Sequence, residues 1–74
     1  MTAGQQEMIE YTTQDIIEFL MNDNHISMDE AMNKLYTSKT FEKLQDVETG
    51  LYLEGSSYVY EILKKEQEKQ FVFA

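Results

Sequence analysis

Wound at about 3.6 residues per turn, the apolar side chains Met8, Ile9, Ile16, Ile17, Leu20 and Met21 fall on one stripe, predicting a first helix from Met8 to about Asn22. Thr12-Thr13-Gln14-Asp15 also has capping character, so a shorter helix from Thr13, preceded by a separate turn over 7–11, is an alternative start. Asn22-Asp23-Asn24-His25 supplies side chains that favour turns and ends this element. The clearest local signal follows. Ser27 is placed to cap a second helix, Glu30 to close a capping box with it, and Ile26 to pack on Ala31 as a hydrophobic staple. Met28, Ala31, Met32, Leu35 and Tyr36 then repeat on one helical face, with Asp29 and Glu30 early and Lys34 late, as the helix dipole favours.

Thr37-Ser38-Lys39-Thr40 interrupts that pattern, because hydroxyl side chains compete for backbone hydrogen bonds. A short third helix over about Lys39 to Asp46 is expected next, with Phe41 and Leu44 inward. Glu48-Thr49-Gly50 reads as a turn, and Leu51-Tyr52-Leu53 alternates as an extended segment near 50–54 would. Gly55 bends the chain again. A fourth helix, capped by Ser56 or Ser57, starts with Tyr58, Val59, Ile62 and Leu63 and continues through the charged run Lys64 to Lys69. The expected fold is all-α: a compact bundle of three to four short helices with one extended segment. Residues 1–7 are expected to be disordered or tag-like, since Met1 to Gln6 resembles a variant of the gene-ten epitope tag, and 8–74 to form a single helical domain.

Composition supports this reading. The chain has 74 residues, no proline, glycine only at 4, 50 and 55, and no cysteine to form a disulfide or a thiolate metal site. Packing must therefore hold the fold, and 42% hydrophobic residues with nine aromatics (five Tyr, four Phe) provide the material. No apolar run approaches the roughly 20 residues that span a bilayer. The N-terminus has no positive, apolar leader pattern, so a soluble, cytoplasmic protein with no membrane partner is expected.

Charge is the most directive feature. Residues 1–33 hold seven acidic side chains and no Lys or Arg, whereas residues 34–74 hold seven acidic and six basic ones, so the halves carry −7 and −1 of the net −8. Such a surface repels nucleic acid and acidic lipid and attracts a basic protein. Glu7, Glu10, Asp15 and Glu18 on the first helix are the candidate partner-binding residues. The apolar tail Phe71, Val72 and Phe73 is a candidate self-association segment, leaving a homodimer open.

Catalytic chemistry finds little support. His25 is the only histidine, and it lies in a polar turn, where a solvated side chain is the plain reading and a base paired with Asp23, or a metal ligand, the sharper one. Residues 23–34 fail the calcium-loop template: with Asp23 as first ligand, Met28 stands where glycine is needed and Lys34 where a bidentate Glu is needed. There is no glycine-rich phosphate loop and no arginine. The carboxylate pairs Asp15/Glu18 and Glu7/Glu10 are what any acidic amphipathic helix displays. No catalytic, cofactor-binding or metal-binding set is therefore assigned. Of the tyrosines gathered at 36, 52, 58 and 60, Tyr36 and Tyr58 or Tyr60 are read as core-edge rings, and Met8, Met21, Met28 and Met32 as core filling, ahead of a binding role for either group.

Ser38-Lys39-Thr40-Phe41, Thr49-Gly50-Leu51-Tyr52 and Tyr58-Val59-Tyr60-Glu61-Ile62-Leu63 together resemble small uncharacterised bacterial helical proteins over roughly residues 12–66. Such proteins are often encoded near toxin–antitoxin or mobile-element modules, which implies binding and not catalysis. The resemblance also implies that Gly50, Tyr52 and Tyr58 specify the fold, fastening the extended segment to the last helix. The leading expectation is a non-catalytic interaction module, antitoxin-like or regulatory. The alternatives are an acidic nucleic-acid mimic that blocks a nucleic-acid-binding protein, and a small His25-dependent enzyme or metal-binding factor.

Overall fold

The computed structural model describes residues 1–72, with side chains described through Glu68. Four helices, α1 (Ala3–Asn24), α2 (Met28–Tyr36), α3 (Lys39–Gln45) and α4 (Ser56–Val72), form an all-α bundle, with two 3₁₀ turns, Val47–Thr49 and Leu51–Leu53, between α3 and α4. Among the described residues there is no strand. Phe73, and the side chains of Phe71 and Val72, lie outside the described residues.

Helix α1 begins five residues before the expected Met8. Thr2 is its N-cap: the Gln5 N–H donates to Thr2 Oγ1 at 3.1 Å while the Thr2 N–H donates to Gln5 Oε1 at 2.8 Å, a complete capping box. Gln5 Nε2 also donates to the Tyr52 hydroxyl at 3.0 Å, tying the helix start to the second 3₁₀ turn. One helix thus runs through residue 7, where the sequence pattern placed a boundary, and through Thr12 and Thr13 without a break. It stops at His25, which adopts left-handed backbone (φ 52°) and donates its N–H to Met21 O.

The Ser27 cap is present, with the Glu30 N–H donating to Ser27 Oγ at 3.2 Å, and α2 follows as the pattern predicts, but the Glu30 carboxylate meets the Ser27 hydroxyl at 3.5 Å instead of the Ser27 N–H, so the expected capping box is not closed. Its apolar face is buried only in the middle: Ala31 and Leu35 are fully enclosed, whereas Met28 and Tyr36 at the ends are about half exposed. A nine-residue helix reaches the core with little more than one turn of side chains on each side of its midpoint.

Ser38 links α2 to α3. Its hydroxyl donates to Leu35 O at 2.6 Å and accepts from the Phe41 N–H at 3.1 Å. The two preceding N–H groups, Lys39 and Thr40, both donate to the Glu66 carboxylate of α4 at 2.9 Å, and Thr40 Oγ1 donates to it at 2.6 Å. Orphan donors at the start of α3 are thereby satisfied from a helix 26 and 27 residues away in sequence.

The expected extended segment is corrected: residues 51–53 form a 3₁₀ turn. At about three residues per turn, Leu51 and Tyr52 go inward together and Leu53 is left 61% exposed, a pattern that two-residue alternation does not produce. Thr49 Oγ1 holds the entry to this turn, at 2.7 Å from Lys43 O and accepting from the Leu51 N–H at 3.2 Å. Gly50 (φ 69°) then joins the two turns with left-handed backbone. A Cβ there meets nothing within 4 Å, so the penalty for a larger residue is purely conformational. Gly50→Ala is expected to lower stability by about 1 kcal/mol, measured by urea unfolding.

The core joins Ile9, Ile16, Ile17 and Leu20 of α1 with Ala31 and Leu35 of α2, Leu44 of α3, Leu51 and Tyr52, and Val59, Tyr60 and Leu63 of α4. Tyr60, not the Tyr58 implied by the resemblance, is the aromatic that fastens α4: it is buried, while Tyr58 is 54% exposed. Its ring packs on Phe19 with centroids 5.1 Å apart, and its hydroxyl donates to Asp23 Oδ2 at 2.6 Å. Burial, the hydrogen bond to Asp23 and the negative charges of Asp23 and Glu61 push the Tyr60 phenol far above its ordinary value, so it stays a neutral donor throughout the accessible pH range.

Candidate functional site

The four candidate carboxylates share the solvent side of α1. At about 100° per residue, Glu7 and Glu18 lie nearly in line, about 16 Å apart along the axis, with Glu10 and Asp15 on opposite flanks. All four are exposed. Their surroundings differ. Asp15 Oδ2 accepts from Ser56 Oγ at 2.6 Å, so this carboxylate anchors the first turn of α4 to α1 and favours the positive end of that helix. Among the described residues Glu7, Glu10 and Glu18 form no ion pair; the one ion pair there joins Lys64 to Glu61 at 3.4 Å.

The acidity of the first 33 residues therefore has two origins. Asp15, Asp23 and Glu30 are hydrogen-bonded within the molecule, to Ser56, Tyr60 and the Ser27 cap respectively. Glu7, Glu10 and Glu18 remain as a negative strip facing water, Glu10 with one long contact from Gln6, and Asp29 stands exposed in the first turn of α2. Sequence reasoning grouped Asp15 with the strip because helical periodicity places it on the same side; the partner that claims it stands 41 residues away.

Beside this strip lies a groove that the sequence did not reveal. Helix α1 packs against α2, α4 and the second 3₁₀ turn, and α3 packs against α4 and α2, but α1 and α3 scarcely meet. The gap between them encloses about 420 Å³, within the range of small-ligand and side-chain pockets. Its floor is Ile9 and Ile17, and its far wall is the aromatic pair Tyr36 and Phe41, tilted at 55° with centroids 4.9 Å apart. Gln6, Glu10, Gln14 and Gln45 edge it with polar groups. Glu10 is the one charged side chain on its lining, which also includes Met1, the residue that carries the α-amino group, and Gln6 Nε2 approaches Glu10 Oε1 at 3.4 Å, the long limit of a hydrogen bond.

His25 stands apart from all of this. It is exposed at the far end of α1, and Asp23, its proposed partner, is engaged by Tyr60 instead. Its backbone explains its place, because histidine tolerates the left-handed region better than most residues. Among the described residues no group of three or more His, Asp or Glu side chains is arranged to hold a metal ion.

Fold and site together define a small helical bundle with a solvent-facing acidic helix and an adjoining half-open groove. Comparison with known proteins adds no relative: no family model, no curated protein and no solved structure matches the chain. No helix among the described residues is long and apolar enough to cross a membrane.

Proposed function

We propose that this protein is a non-catalytic interaction module that binds a basic protein through the outer face of α1, as an antitoxin-like or regulatory subunit would. One observation carries the reading: Glu7, Glu10 and Glu18 form an exposed strip that makes no ion pair among the described residues. Three carboxylates along one exposed helix face set up a negative field with no ion pair to offset it among the described residues. A partner with Lys or Arg at matching spacing offsets that field and is steered to the site by the charge of the acidic half.

The test is capture of the partner from source-cell extract by wild-type protein and by the triple variant Glu7→Lys/Glu10→Lys/Glu18→Lys. This change moves the formal charge from −8 by +6 to −2. Wild type is expected to retain a basic protein at about 50 mM salt and release most of it by about 300 mM, where the Debye length is down to about 6 Å. The triple variant is expected to bind about a hundredfold more weakly, three exposed pairs at up to ~1 kcal/mol each. Circular dichroism checks that its helix content is unchanged. Capture indifferent to both salt and charge reversal refutes the proposal.

A further inference from the structure

Resting on that interaction reading, we infer that the groove between α1 and α3 is the seat of the partner, and that its occupant is an amphipathic helix presenting apolar side chains flanked by Lys or Arg. The dimensions suit a helix. From Gln6 to Ile17 the α1 wall rises about 16 Å, three turns of a docked helix, which matches anchors at i, i+3 or i+4, and i+7. The chemistry suits an apolar anchor beside a cation. Tyr36 is 45% exposed although its ring already packs on Phe41, so the pair presents an aromatic surface that this chain leaves uncovered. Exposed aromatic area next to a polar rim is the usual composition of an interface centre.

Glu10 fixes the sign of the occupant. No lysine lines the groove among the described residues, and Glu7 and Glu18 on the adjoining strip extend the negative field along it. Glu10 differs from Glu7 and Glu18 in position: it stands on the groove lining, where a cation beside an apolar anchor reaches it directly. The primary amides of Gln6, Gln14 and Gln45 can both donate and accept, which suits a helix's polar flank without adding charge. A second copy of this chain is a poor occupant, because each copy brings net −8.

The experiment titrates the ¹⁵N-labelled full chain with a synthetic helical peptide carrying a leucine stripe flanked by lysines, and with a control in which every lysine is glutamine. Saturable shifts are expected at the side-chain amides of Gln6, Gln14 and Gln45 and the backbone of Thr13 and Tyr36. Glu10→Gln and Tyr36→Ala are each expected to weaken the lysine peptide about fivefold to tenfold, and Glu7→Gln or Glu18→Gln less than about twofold. The control peptide is expected to bind at least about tenfold more weakly.

Shifts confined to the outer face, or equal losses at Glu7, Glu10 and Glu18, overturn the groove while leaving the acidic-strip proposal standing. Equal binding of the control peptide overturns the cationic occupant. Absence of saturable binding overturns the inference, as does dimerisation through the groove in sedimentation. The captured natural partner separates the two levels. If it is lost with the triple charge reversal but indifferent to Tyr36→Ala, the groove fails alone; if it ignores both changes, the interaction reading fails as well.

Discussion

Leu20→Ala is expected to remove about 3 kcal/mol of unfolding free energy, the largest effect of any single truncation considered. Leu20 is completely enclosed, on α1 where it joins the other helices in one apolar core. Truncating a buried leucine forfeits the transfer free energy of its methyl and methylene groups and leaves a void that the neighbours fill only in part, which together cost about 2–5 kcal/mol. Domains of this length have roughly 4–11 kcal/mol to lose, at about 0.05–0.15 kcal/mol per residue. The variant is therefore left near the edge of folding, with a Tm lowered by more than about 10 °C. Differential scanning calorimetry of Leu20→Ala beside Met8→Ala provides the contrast. Met8 is on the same helix but 42% exposed, and its truncation is expected to change stability by less than about 0.5 kcal/mol. Equal effects at both positions contradict the core assignment.

Glu66→Gln is expected to cost about 1–2 kcal/mol near neutral pH, a loss that shrinks in acid. Burial alone raises the Glu66 pKa. The hydrogen bond from Thr40 Oγ1, the N–H donors of Lys39 and Thr40 and the charge of Lys39 outweigh it and hold the carboxyl below its ordinary value of 4.5. A depressed folded-state pKa stabilises the fold above the unfolded carboxylate's pKa, and that contribution disappears as pH falls through the folded value. The wild type should thus lose this stabilisation below about pH 4.5, while the glutamine variant, which cannot ionise, has none to lose. Partial solvent exposure of the site keeps the loss well below the sum of three charged hydrogen bonds. Urea midpoints at pH 7 and pH 3 measure the convergence. A gap between the two proteins that is the same at both pH values counts against Glu66 as an ionised cap of α3.

How far these features were legible depends on the separation of their parts. Helix α2 was readable because Ser27, Glu30 and the apolar repeat lie within ten residues and all point to one start. The true start of α1 had an equally local signal, Thr2 and Gln5 in capping-box spacing, but it sits in a stretch that resembles a vector-derived tag. The 51–53 segment misled because alternation is a weak signal over three residues. Thr49 and the left-handed Gly50 were the better guide, since together they close one tight turn and open another. Glu66 capping α3 and Tyr60 binding Asp23 have no sequence signature, because their partners stand 26 to 37 residues apart. In the candidate site, the negative strip followed from composition and helical periodicity. Its neighbouring groove did not, because it exists only where α3 chooses α4 and α2 over α1.

That choice of neighbours shapes how the bundle yields. Detaching α4 or α2 from α1 tears open the shared core, whereas moving α3 away from α1 breaks almost no packing between them. Ser38 and the Glu66 clasp hold the first turn of α3, while enclosed Leu44 and the bond from Thr49 Oγ1 to Lys43 O hold its later turn. The width of the seam is therefore set by where Leu44 seats this seven-residue helix, and altering it means pivoting α3 about an enclosed leucine.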